Sequence, residues 1–333
     1  MKAVSTRGKT MKDLIIGIDV GGTTIKIGLI KDQGEILKQW SISTNKAYQG
    51  SRIVPDIIES IQAHLKSMAI DSTTIRGIGM GSPGAVDRNM GTVSGAYNLN
   101  WENTQPIKAR FEEAFGWPFY LDNDANVAAL GEKWQGSGDN LANVVFITLG
   151  TGVGGGIVVC NELVTGYHGC AGEIGHLHVT DNPVFQCTCG NQGCLESVAS
   201  ATGMLHLSKD LAQIFSEESA MKKKILSDST LTVKEIFDEA RQQEPLALLI
   251  LNTFSAYIGL ACSHITNILD PDRIIIGGGI ASAGELLLSA INENYERHVF
   301  PKAKNKEVLT LATLGNDAGI LGAAYLVLSS QKG

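Results

Sequence analysis

One pattern occurs twice in this chain and limits its fold more than any other: an apolar strand, a turn of glycine and threonine, and a second apolar strand. Leu14 to Asp19 runs into Val20-Gly21-Gly22-Thr23-Thr24 and on into the apolar run Ile25 to Ile30. Asn143 to Leu149 runs into Gly150-Thr151-Gly152-Val153-Gly154-Gly155-Gly156 and then Ile157 to Cys160. Each turn exposes backbone N–H groups and hydroxyls, a combination that suits phosphate oxygens. A plain hairpin needs no more than Gly-Gly, whereas Asp19 and Lys26 flank the first turn with charge. Neither turn has the spacing of a Walker loop or a dinucleotide fingerprint, and each leads into a strand instead of a helix. Two copies of one phosphate-type turn indicate an internal duplication. A length of 333 residues suits two α/β units better than one core.

Between the copies lies the densest polar cluster. The apolar run Trp117 to Leu121 stops at Asp122-Asn123-Asp124-Ala125-Asn126, and a helical pattern begins with Val127, Leu130 and Trp134. A carboxylate at the end of a strand and the start of a helix sits at the sheet edge where α/β proteins keep their ligands. Helix capping alone would use one Asp or Asn; four polar side chains in five positions exceed that need. Asp124, projecting from such an edge, is suited to taking a proton from a substrate hydroxyl.

Of six cysteines, Cys187, Cys189 and Cys194 fall within eight residues. Cys-x-Cys-x4-Cys supplies three thiolates to a tight loop, and tetrahedral zinc requires a fourth ligand, for which His176 and His178 are both candidates. Glu196 follows the last cysteine by two positions, so a metal that fixes the loop also fixes this carboxylate.

The remaining chain reads as alternating strands and helices. Helices are expected over Ser51 to Met68, Val198 to Phe215, Leu246 to Ile268 and from Asp317 to the C-terminus. The apolar faces of the third are wide enough for a domain core or a dimer interface. Strands are expected at Ile75 to Met80 and at Arg273 to Ile276; the second feeds Gly277-Gly278-Gly279, where a flat base or ribose could approach the backbone. Gly91 to Trp101 reads as a loop, residues 216–230 as a solvated connection, and residues 1–12 as a loose tail. Lys plus Arg number 27 against 34 Asp plus Glu, a net charge of −7 that argues against a nucleic-acid partner. No apolar run reads as long enough to span a membrane and no signal peptide is evident, so a cytoplasmic protein is expected.

Taken in order, Asp-Val-Gly-Gly-Thr at Asp19, Asp-Asn-Asp at Asp122, Gly-Thr-Gly-Val-Gly-Gly-Gly at Gly150, Glu-Ile-Gly-His at Glu173 and the cysteine loop ending in Cys-Leu-Glu at Cys194 resemble the ROK family of sugar kinases and sugar-responsive repressors. The resemblance spans Asp19 to Gly322. It implies an actin-like, ribonuclease-H-like α/β fold in two lobes with an interlobe cleft and a zinc knuckle. The lobes are expected at 12–124 plus 316–333 and at 125–315.

The resemblance also implies an ATP-dependent hexose kinase, with Asp124 as catalytic base. Gly84, Asn98, Asn123, Glu173, His176 and Glu196 correspond to sugar-binding positions. Gly21, Gly22, Thr23, Thr24, Lys26, Thr151, Gly152 and Val153 fall to ATP phosphates, Asp19 to Mg²⁺, and Gly277, Gly278 and Gly279 to adenosine. His176, Cys187, Cys189 and Cys194 match the zinc site. Glucose is the expected sugar, on the Asn-Leu-Asn-Trp stretch at Asn98. N-acetylmannosamine, N-acetylglucosamine and fructose are alternatives, as is a transcriptional regulator of the same family. A homodimer or dimer of dimers is expected from family habit.

Overall fold

The computed structural model describes residues 12–182, 185–227, 230–305 and 307–331; the expected tail lies outside them except for Lys12. Contacts divide the chain into two units, 1–135 with 316–333 and 136–315.

In the first unit the apolar run forms β1 (Leu14–Val20), and the Gly-Gly-Thr turn returns the chain as β2 (Thr24–Lys31), antiparallel, with Asp19 opposite Lys26. β3 (Ile36–Ser43) extends the edge. It went unread because most of its side chains face water, as an edge strand allows. A single turn, α1 (Ala47–Gly50), precedes α2 (Ile53–Ser67), whose Ile53, Ile57, Ile61 and Leu65 are buried as their spacing requires. Then follow β4 (Ile75–Ser82), the hairpin β5 (Ala85–Asp87) and β6 (Thr92–Ser94), α3 (Ile107–Phe115), β7 (Phe119–Asn123) and α4 (Asp124–Gln135). The sheet order is β3-β2-β1-β4-β7, with β4 and β7 parallel to β1.

The C-terminal helix, Ala318–Ser330, closes this unit. It lies so near the sheet that a Cβ at Gly17 or Gly79 would collide with its Ile320 or Ala323 carbonyl; only glycine admits that approach. Because α4 packs on the same helix, the boundary falls after Gln135 and not at 124/125, where the sequence pattern placed it.

The second unit repeats the scheme. β8 (Val144–Leu149) and β9 (Val153–Val159) are antiparallel across the second Gly-Thr turn, and β10 (Glu162–Leu163) extends the edge. After α5 (Leu195–Ala199), α6 (Ala201–Ile214), α7 (Ala220–Ser227), α8 (Val233–Arg241) and α9 (Pro245–Leu269) come β11 (Arg273–Gly277), α10 (Glu285–His298) and β12 (Leu309–Leu311); the C-terminal helix is therefore α11. The order β10-β9-β8-β11-β12, with β11 parallel to β8 and to β12, reproduces the first sheet strand for strand.

Three expectations change. The helix expected over Val198 to Phe215 breaks at Ser200, whose hydroxyl accepts the Gly203 N–H and starts α6. The solvated connection contains α7, which buries Met221 and Ile225. Helix α9 is, by length and composition, apolar enough to cross a membrane, contrary to the sequence reading. It is instead the core helix of this unit, with Phe254, Ile258 and Cys262 fully buried. Most of its apolar face is thus spent internally, while Leu249 and Ile268 remain exposed.

Candidate active site

Parallel strands end together, so register decides which side chains meet. In the first unit Asp19 lies beside Gly81, and Gly81 beside Asp122; Ser82 lies beside Asn123. The ends of β1 and β7, on either side of β4, therefore deliver Asp19, Asn123 and Asp124 to one edge. The turn before β2 is closed by a bond from the Gly21 N–H to the Thr24 carbonyl at 3.1 Å, and Thr44 Oγ1 donates to the Gly21 carbonyl at 2.7 Å. Thr23 and Thr24 remain exposed. Lys26 Nζ donates to the Asn316 carbonyl at 3.3 Å.

Asn98 sits against this turn, its backbone oxygen 3.5 Å from where a Gly22 Cβ would stand. Its neighbours have other duties. Asn100 donates to the Lys46 carbonyl at 3.1 Å, and Trp101, fully buried, donates from Nε1 to the Gly50 carbonyl at 3.1 Å. Gly84, at φ +95°, makes the bend into β5.

The polar cluster is sorted by its hydrogen bonds. Asn123 Oδ1 and Asp124 Oδ1 both accept the Ala125 N–H, at 2.9 and 2.8 Å. Among the described residues no hydrogen bond reaches Asn123 Nδ2 or Asp124 Oδ2, so an amide donor and a carboxylate acceptor remain for a ligand. Asp124 is exposed at its tip yet crowded by protein beneath, and that desolvation raises its carboxyl above the ordinary Asp value.

Burial pushes Asp19 up to about 6, against the pull of Lys26 and with a contribution from the Asp124 charge. The folded state thus disfavours the Asp19 carboxylate, and stability falls as pH rises from about 4 through about 6. Asp19→Asn is expected to stabilise the ligand-free protein at pH 7.5 by at most about 3 kcal/mol, less whatever solvent screening removes, while impairing turnover. Urea denaturation at pH 5 and 7.5 checks this; an equal effect at both would refute it.

In the second unit the Gly150 N–H donates to the Gly152 carbonyl at 2.9 Å, and the Ala201 N–H caps the Gly150 carbonyl at 2.8 Å. Glu196 Oε2 accepts the Val153 N–H at 3.0 Å and Oε1 accepts from Thr188 Oγ1 at 3.3 Å. The Val153 N–H, which the resemblance assigned to ATP phosphates, here anchors Glu196. Gly175 packs so closely on the Val153 carbonyl that a Cβ would collide, which brings Glu173 and His176 to the same spot. Glu173 Oε2 stands 3.8 Å from His176 Nε2.

The other face of that ring meets the cysteines. Ligand atoms of His176, Cys187, Cys189 and Cys194 all lie within 4.8 Å of one another. His176 Nδ1 is 3.6 Å from Cys187 Sγ, and Cys189 Sγ is 3.8 Å from Cys194 Sγ. A zinc tetrahedron with Zn–S of about 2.3 Å and Zn–N of about 2.0 Å has edges of about these lengths, so the four groups fit the ion. Burial, reinforced by the neighbouring Cys187 and Cys189 thiols, pushes Cys194 up to about 12. Three thiolates can share this loop only if a cation is among them. His178 is not the fourth ligand: its Nδ1 is 3.1 Å from the Gln192 carbonyl and its Nε2 3.0 Å from Asp181 Oδ1.

Beside the second turn lies a cavity of about 530 Å³, lined by Gly150, Thr151, Gly279, Ser282, Phe237 and Arg241 among others. Of the expected glycines only Gly279 lines it. Gly278 lies against the Leu149 backbone and Gly277, the buried last residue of β11, against the Phe146 ring. The wall from α8 was not foreseen. Arg241 Nη2 donates to the Ala283 carbonyl at 3.0 Å and Nη1 to Asp238 at 2.8 Å, while Lys234 pairs with Asp238 at 2.7 Å. The capping box of Thr232 and Glu235 marks the helix in the sequence; nothing there says which turn it faces.

A family model described as the ROK family matches residues 15–330. A glucokinase of Halalkalibacterium halodurans is 39% identical over 317 residues, covering 95% of this chain and 96% of that one. A putative xylose repressor of a Caldicellulosiruptor species is 31% identical, over 96% of this chain and 79% of the repressor. The crystal structure of a ROK family glucokinase from Streptomyces griseus in complex with glucose and AMPPNP superimposes with a TM-score of 0.73 at 32% identity, covering 95% and 99% of the two chains.

Proposed function

Because the chain belongs to the ROK family, we propose that it is an ATP-dependent hexose kinase that phosphorylates the 6-hydroxyl of glucose. The observation that carries this reading is Asp124: a carboxylate where the parallel strands of the first sheet end, with one oxygen held by the Ala125 N–H and the other open. Its raised affinity for protons suits a general base working near neutral pH.

In this reading Asp124 Oδ2 takes the proton of the 6-hydroxyl as the oxygen attacks the terminal phosphorus, and ADP leaves. Asn123 Nδ2 donates to a sugar hydroxyl while Glu173 and Glu196 accept from others. A sugar that lacks or inverts one of those hydroxyls leaves a polar group unpaired, which is how such a site discriminates. Asn98 and Gly84 line the sugar's side of the first unit. The turns at Gly21 and Gly150 present N–H groups and hydroxyls to phosphate oxygens, and the cavity beside α8 receives the nucleoside. Mg²⁺ would supply charge neutralisation at the phosphates, and Asp19, whose carboxylate is disfavoured without a cation, is the group that fits it. Zinc would be structural: with Nδ1 of His176 on the metal, its Nε2–H faces Glu173, the arrangement that orients a second carboxylate.

A panel of glucose, N-acetylglucosamine, N-acetylmannosamine and fructose in an ADP-release assay tests the substrate. Glucose is expected to give the highest kcat/KM; turnover confined to an N-acetylhexosamine would replace it. The repressor among the relatives supports a second reading, sugar sensing without chemistry, and glucose binding with no ADP release from any sugar would favour it.

A further inference from the structure

We infer that Arg88 is a positioning residue for phosphoryl transfer: from the turn between β5 and β6 its guanidinium neutralises Asp122 and thereby holds Asn123 and Asp124 in working orientation. The inference rests on the kinase reading and adds to it a group that no motif marks.

Asp122 is the buried member of the polar cluster, only 1% exposed. Its Oδ1 accepts the Asn123 N–H at 2.7 Å and Asn126 Nδ2 at 2.9 Å, so one oxygen braces both sides of Asp124. Its Oδ2 is sealed from solvent. Among the described residues Oδ2 has no hydrogen-bond partner of good geometry, and what faces it is the ion pair with Arg88 Nη2. A buried carboxylate with one cation depends on that cation.

Arg88 is itself held. Asp87 Oδ1 accepts the Met90 N–H at 2.9 Å, closing the turn, and β5 pairs with β6 over three residues. This hairpin leaves Gly84 and leads toward Asn98. One ion pair therefore ties the segment bearing Gly84 and Asn98 to the segment bearing Asn123 and Asp124. The guanidinium fork can meet a carboxylate with direction as well as charge, which an ammonium does not.

A merely structural staple would, when weakened, lower the amount of folded enzyme and leave every KM unchanged. A positioning role moves the constants of the sugar and spares those of the nucleotide. Arg88→Lys, which keeps the charge and folds, is expected to raise the KM for glucose about fivefold and lower kcat about tenfold, with the KM for ATP unmoved. Arg88→Met is expected to lower kcat/KM about 100-fold or more, because it strands a buried charge. Adding Asp122→Asn to Arg88→Met removes that charge and is expected to recover at least about tenfold. The inference is overturned if Arg88→Lys matches wild type in both glucose constants, or if the double variant is no better than Arg88→Met. Wild-type turnover is measured first, so a failure of the kinase reading shows there and a failure of this one in the variants.

Discussion

Asp124→Asn is expected to lower kcat for glucose by about 100- to 10,000-fold, the usual worth of a positioned general base, while leaving the protein folded and able to bind sugar. The substitution is nearly isosteric. An amide oxygen at Oδ1 still accepts the Ala125 N–H at 2.8 Å, so the start of α4 is preserved. What is lost is the open oxygen, replaced by an NH₂ that cannot take a proton. The pH profile carries a second signature. Desolvation raises the Asp124 carboxyl, so the acid limb of kcat/KM in the wild type should lie above the ordinary Asp range, and that limb should vanish in the variant. Calorimetric titration with glucose and an ADP-release assay measure the two halves; a variant within tenfold of wild-type kcat would remove the base assignment.

The second large effect concerns the knuckle. Metal analysis of the purified protein is expected to find about one zinc per chain, from the four-ligand count. Cys194→Ser should abolish that content and lower activity by at least about 100-fold, since even second-shell partners of a metal are worth 10–100-fold. The reason lies one turn away from the metal. Cys194 begins the helix that carries Glu196, and Glu196 holds the Val153 N–H and the Thr188 hydroxyl. Loosening the loop therefore frees the carboxylate proposed to bind the sugar and unpins the start of β9 together. Full activity in a zinc-free preparation would refute the structural role.

Much of this was legible in the chain. Gly/Thr turns between apolar strands announced the duplication, and both sheets repeat it in order and sense, as the actin-like fold of the ROK family requires. The polar cluster around Asp124 was legible at the strand–helix junction because one capping residue would have sufficed where four polar ones stand. Other features were hidden for physical reasons. Amphipathic periodicity ran on through Ser200 because apolar spacing does not register a hydroxyl that caps, and β3 escaped because an edge strand need bury little. Arg88 was invisible because an ion pair between residues 34 positions apart leaves no local pattern. Spacing alone left His176 and His178 equivalent, since both stand close to the cysteines in sequence; the family resemblance pointed to His176, and the ring contacts separate the two.

The covering of the first sheet by α11 has a consequence for biosynthesis. The second unit is one uninterrupted stretch, whereas the first waits for a helix encoded some 180 residues after Gln135. On a ribosome, Gly17 and Gly79 emerge early with one side of their strands bare, and they stay so until α11 is made. Domains generally fold as units during synthesis, so the downstream portion can finish first. The portion bearing Asp124 then completes its packing only after α11 has been made, a delay written into the order of the chain.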